Sequence, residues 1–165
     1  VELVMRTRTP WRARATGLAL LAAAVTAACE HPIAVVTPHA EVADLVLLDS
    51  ATRTVVARTL DNRAWSGGPV PLCAEEARTL VPQVLDFRGE PVDLVSRRDL
   101  ELRGESAAAN VAWEPLRGRG RLLGLAPGAT RVRFLVWHLT HADLVSPWLD
   151  VIVYPRSACP VGRQP

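Results

Sequence analysis

The sequence predicts an all-β fold, a single β-sandwich of seven or eight short strands. Three observations lead there. Short apolar, β-branched segments recur along the chain, turn-forming residues interrupt them about every ten positions, and no long stretch carries the helical period. Residues 42–48 are apolar and branched, Asp49-Ser50-Ala51-Thr52 is turn chemistry, and 54–57 close a first hairpin. Residues 62–71, with Ser66-Gly67-Gly68-Pro69, read as a loop. Residues 74–80 are the one helical candidate, and it is short. A strand is expected over 79–87, where Pro82 asks for an edge or a bulge. Residues 100–103 alternate, as a half-exposed strand does, and 110–114 do much the same. Residues 121–125 and 130–139 flank Ala126-Pro127-Gly128-Ala129, a turn with proline and then glycine. Residues 148–154 form the expected last strand.

The start of the chain has a different character. Met5 is its single methionine and the expected first residue. Arg6, Arg8, Arg12 and Arg14 precede an uncharged Leu/Ala run over 15–28, the two parts of an export signal, whose apolar segment would be helical. That run is shorter than the roughly 20 apolar residues that span a bilayer. The first 28 residues hold four arginines and one acid, so their net +3 turns the chain's +2 into −1 for the remainder. The basic balance therefore belongs to the export signal and gives no reason to expect nucleic acid as a partner. Arg117-Gly118-Arg119-Gly120-Arg121 reads accordingly as a basic hairpin tip.

Val25-Thr26-Ala27-Ala28-Cys29 resembles the bacterial lipobox. The resemblance implies diacylglycerol on the Cys29 thiol, cleavage before Cys29 and acylation of the new amino terminus, commonly with palmitate. The expected organisation is a signal peptide over 1–28, lipidated Cys29 with a tether to 39, a domain over 40–156 and a tail over 157–165. Ordinary signal cleavage near Ala28, leaving a soluble secreted protein, is the alternative. Several acyl chains on one residue hold a membrane far better than one. Cys73 and Cys159 remain, and in an oxidising exported compartment they would form a disulfide or persist as separate thiols.

Asn110-Val111-Ala112-Trp113-Glu114, followed by Gly120-Arg121-Leu122-Leu123-Gly124-Leu125-Ala126-Pro127-Gly128-Ala129-Thr130, resembles the second half of bacterial Ig-like (Big) domains. That family shows a valine-x-tryptophan and then a spaced series of glycines. The resemblance covers about 45 of the 165 residues and implies an Ig-like sandwich, with Trp113 in the core and the glycines shaping turns. It implies no chemistry.

No nucleophile elbow, His-Glu-x-x-His or phosphate-cradling glycine loop is present, so the chain is not expected to be an enzyme. Its histidines carry more information. His39-Ala40-Glu41 precedes the first strand and His141-Ala142-Asp143 precedes the expected last one. Imidazole and carboxylate are ordinary ligands for zinc or copper, and alternate residues of an extended segment point the same way. If the first and last strands run parallel, as they commonly do in Ig-like sandwiches, then His39, Glu41, His141 and Asp143 converge. His138 falls on the buried side of the Val132, Phe134, Val136 alternation and reads as a core or rim histidine, and His31 lies in the tether. Trp113 and Trp137 are expected in the core, and Trp65 and Trp148 beside loops. The expectation is a non-enzymatic cell-envelope lipoprotein, anchored to a membrane through Cys29, whose Ig-like domain binds an envelope protein or glycan. The alternative is an envelope lipoprotein that binds zinc or copper through the two His-x-acid tripeptides.

Overall fold

The computed structural model describes residues 41–160. The expected signal peptide, Cys29, the expected tether with His31 and His39, and residues 161–165 lie outside them. The described chain is all-β and forms two sheets. The first is ordered β3 (Ala64–Ser66), β2 (Val55–Leu60), β1 (Asp44–Asp49), β5 (Ala77–Leu85), β9 (Arg119–Gly124), β8 (Val111–Leu116), with the two-residue β6 (Pro91–Val92) also on β5. The second is ordered β11 (His141–Val145), β10 (Gly128–His138), β12 (Leu149–Tyr154), β4 (Val70–Cys73), with β7 (Leu100–Ser106) also on β10.

There are therefore twelve strands among the described residues, against the seven or eight expected. Each of the eight expected segments overlaps a strand. The four additions are β3, β4, β6 and β11, all short. The helical candidate over 74–80 is not a helix: a turn at 74–76 leads straight into β5. The last strand does have a parallel neighbour, but it is β4, not β1. Strand β1 lies in the opposite sheet, antiparallel to β2 and β5.

Pro82 sits inside β5 without harm for a geometric reason. Ser50 N–H donates to Thr79 O at 3.1 Å, which sets the alternation of the β1–β5 ladder and turns the backbone nitrogen of residue 82 away from β1. On that other side β9 pairs only with 77–80 and β6 only with 84–85. The missing donor faces a gap in the ladder, as a strand proline requires.

One core lies between the sheets. From the first sheet come Leu45, Leu47, Leu80, Val84 and Leu122, and from the second Val70, Val132, Phe134, Val136, Leu149, Val151 and Val153, all at 4% exposure or less. Trp113 packs edge-on to Phe134 with ring centroids 5.0 Å apart, and Trp65 does so from another side at 6.2 Å. Trp65 also donates its indole N–H to Pro147 O at 2.7 Å, so it is a core-rim residue. Trp137 alternates out of the core, where Arg103 lies 4.3 Å above its ring. Trp148 is exposed at the surface beneath Arg133.

The Cys73 and Cys159 sulfurs are bonded, with Cα atoms 5.6 Å apart, which ties the short 3₁₀ turn at Arg156–Ala158 to the end of β4. Gly104 and Gly120 lie within strands, and their role is clearance. A Cβ on Gly104 would stand 2.5 Å from Trp113 Cβ, and one on Gly120 would collide with the indole ring. Gly120→Ala should therefore push Trp113 off Phe134 and destabilise the domain by about 1–3 kcal/mol, as overpacked cores are. Thermal unfolding beside wild type reads this; an unchanged Tm would mean that the indole has room to move.

Candidate metal centre

Strands β10 and β11 form a hairpin around Leu139 and Thr140, with Leu139 at φ +50° in the turn. His138 and His141 flank that turn directly opposite each other. Val136 then pairs with Leu144 while Trp137 pairs with Ala142, so Asp143 is the extra residue of a β-bulge. A bulge re-aims the side chains it carries. Here it lets Leu144 enter the core while Asp143 faces the histidines.

The three side chains meet. His138 is 1% exposed, the Asp143 side chain 2% and the His141 side chain 42%. Asp143 spans the two imidazoles, with Oδ1 2.8 Å from His141 Nε2 and Oδ2 3.3 Å from His138 Nδ1. One donor atom from each residue falls within 4.8 Å of the others, which is compatible with metal coordination. The far nitrogen of His138, Nε2, lies 3.2 Å from Asp99 Oδ2. Asp99 is itself gripped by Arg97, with Nε to Oδ1 at 2.8 Å and Nη2 to Oδ2 at 2.6 Å. The hydrogen bonds from Arg97 hold the Asp99 carboxyl well below the usual carboxylate range, so it is an anion at neutral pH.

His138 Nδ1 is buried and makes no hydrogen bond. Asp143 Oδ2 stands 3.3 Å away, yet no hydrogen bond forms between them. Two ligands of a tetrahedral zinc ion, each about 2.0–2.1 Å from the metal, stand about 3.3 Å apart and point at the ion, not at each other.

Of the residues selected from sequence, His141 and Asp143 belong to this cluster and lie on a strand of their own, β11, not ahead of the last strand. Glu41 is exposed just before β1 and is not part of the cluster, while His39 lies outside the described residues. His138 and Asp99 were not selected. The alternation that buries His138 is visible in the sequence, but the bulge that brings Asp143 to it is not. Cys73, Glu76 and Cys159 also group together, but the disulfide leaves no thiolate for a metal.

No family model matches the chain, and no curated protein does. Among solved structures, the crystal structure of the S-layer protein SbsC domains 4 and 5 aligns with a TM-score of 0.37 and 11% identity, over 59% of this chain and 63% of that one. The matched region is thus less than two thirds of that protein's chain, and a likeness of this size transfers neither chemistry nor partners.

The Arg97–Asp99 pair gives the site a pH signature. A carboxyl whose folded value is depressed stabilises the fold above its unfolded value of about 3.9, and that contribution is lost as pH falls through the lower folded value. Arg97→Gln should be less stable than wild type at neutral pH, and the difference should shrink once pH drops below the ordinary carboxylate range. Urea unfolding of both proteins at neutral pH and at about pH 2.5 measures it; a constant gap would mean that Arg97 acts by packing alone.

Proposed function

We propose that this chain is a cell-envelope lipoprotein, anchored to a membrane through lipid on Cys29, whose non-enzymatic β-sandwich binds a divalent transition-metal ion, zinc or copper, through His138, His141 and Asp143. The observation that carries the metal reading is the buried His138 Nδ1, which has no hydrogen bond yet faces a carboxylate and a second imidazole. A buried polar atom left unpaired costs about 1–3 kcal/mol, as much as a buried leucine or phenylalanine contributes. A strand that already runs Val132, Phe134, Val136 inward would gain by placing another apolar residue at 138. A bound ion removes the cost.

The surroundings fit that role. Asp99 at Nε2 fixes which ring nitrogen faces inward, the carboxylate–histidine–metal arrangement in which an outer anion orients a ligand and raises its basicity. Two imidazoles and one carboxylate are a borderline-soft set suited to zinc or copper. The half-exposed His141 side chain supplies an entry path. Val42, Ala43 and Asp44 line one cleft together with Asp143, Leu144 and Val145, so the chain entering β1 passes beside the ligands. The sequence offers His39 and Glu41 in that segment as candidates for a fourth ligand.

The test is calorimetric titration of zinc and copper(II) into the mature chain carrying Cys29→Ser, beside His141→Ala, which alters a half-exposed side chain and spares the core. Wild type should bind one ion at micromolar concentration or tighter, and His141→Ala should lose at least tenfold. A hundredfold excess of metal over Kd should stabilise wild type by about 2.7 kcal/mol. Binding should weaken on acidification, because the imidazoles must be neutral to ligate. His39→Ala and Glu41→Ala then identify the fourth ligand. Absence of heat and of any metal-dependent shift in Tm would end the metal reading. The anchor is tested separately: labelled palmitate should enter the wild-type protein in a bacterial host and be absent from Cys29→Ser.

A further inference from the structure

Four arginines are gathered at one place on the surface. Arg97, Arg98, Arg117 and Arg119 line one cleft of about 450 Å³, between the segment that joins β6 to β7 and the β8–β9 hairpin tip. Glu101 is the single acid among its lining residues, and it is held by Arg103 at 2.9 Å. Beyond the export signal the chain has a net charge of −1, so this concentration of one sign is local. Arg97 is committed to Asp99, and Arg117 reaches Val95 O at 3.4 Å. Arg98 and Arg119 form no ion pair among the described residues.

The cleft is also preformed. Gly118 has φ +70°, and a Cβ there would stand 2.7 Å from Val95 Cγ2, so the hairpin tip is pressed against the opposite wall. The glycine in Arg117-Gly118-Arg119 permits both that turn and that approach. Between the arginines the lining is apolar, and it includes Val95 and Leu116, which are 45% and 39% exposed. The size matches a small-molecule site, and a concave surface of one sign focuses its field on a ligand of the other. Guanidinium forks match the oxygens of phosphate better than a point charge does.

We propose that this cleft binds a phosphate monoester or diester carried on an apolar body, with Arg98 and Arg119 on the phosphate oxygens and Val95 and Leu116 against the body. The volume holds one such group and not a polymer. Two sources offer this chemistry, a soluble organic phosphate and the headgroup region of an anionic lipid. The cleft shares Arg97 with the Asp99 support of the metal cluster, but its test at Arg98 and Arg119 does not depend on a bound ion.

The experiment follows the full chain carrying Cys29→Ser by ¹H–¹⁵N NMR, through the arginine Nε–H signals and the Gly118 amide, during titration with hexyl phosphate, inorganic phosphate and hexyl glucoside. Hexyl phosphate should give saturable shifts confined to the cleft, at least tenfold tighter than inorganic phosphate, and hexyl glucoside should give none. Arg98→Gln combined with Arg119→Gln should weaken hexyl phosphate at least tenfold, with the remaining spectrum unchanged because neither side chain holds the fold. Sedimentation with phosphatidylglycerol vesicles, set against phosphatidylcholine vesicles, separates the sources. Capture that the double variant abolishes assigns the lipid headgroup, whereas no capture alongside hexyl phosphate binding assigns a soluble ester. Absence of saturation by hexyl phosphate, or equal affinity in the double variant, overturns the site. Equal affinity for inorganic phosphate overturns the apolar half of the ligand.

Discussion

Strand β10 must satisfy three neighbours at once. Its first half pairs with β12, its second half with β11, and β7 runs along 132–138. Only one residue parity can face the core under that restriction, and Val132, Phe134, Val136 and His138 occupy it. Phe134 is the point on which both sheets close, since Trp65 and Trp113 each meet its ring edge-on. Where β11 ends and β12 has not begun, buried Ser146 fills in: its hydroxyl accepts from Phe134 N–H at 2.9 Å and its own N–H donates to Phe134 O at 2.8 Å. The ladder therefore stays satisfied through the centre of the core, as buried backbone must.

The candidate metal site is the far end of the same row. Position 138 faces inward for the reason that Phe134 does, so a histidine there is buried whether or not it has partners. The partners come from the fold's two departures from regularity. A tight turn sets His141 opposite His138, and the bulge adds Asp143 without displacing Leu144 from the core. A regular strand would have offered either the carboxylate or the leucine on that side.

Much of the fold was legible because it is local. Alternation and turn residues mark the hairpin of β1 and β2, the long β10 and the closing β12. What escaped depends on pairing across the chain. Strand β4 holds Pro71 in four residues and exists only because β12 lies parallel beside it. Strand β3 has three residues, and the turn before it uses Asp61 and Asn62 at φ +48° and +49°, hairpin chemistry hidden in what reads as a loop. Strand β11 is too polar to look like a strand, because its bulge carries an acid. The tripeptide 141–143 was visible as a same-side pair of ligand types. Its partners His138 and Asp99 were not, since one depends on the bulge and the other on a loop folding back 39 residues before.

Arginine in place of lysine also shapes how the surface is used. A guanidinium can hold a carboxylate with two donors and still lay its plane on an aromatic ring. The outer face of the second sheet uses both properties, with Arg103 tied to Glu101 and stacked on Trp137, and Arg133 tied to Glu105 and stacked on Trp148. Exposed pairs of this kind contribute little each, on the order of 0–1 kcal/mol. What they do is cover apolar rings that would otherwise face solvent. Among the described residues Arg98 and Arg119 have neither an acid nor a ring to cover, and they stand where the surface is concave. Where a concave surface of one sign holds arginines without an acid among the described residues, the complementary charge comes from another molecule.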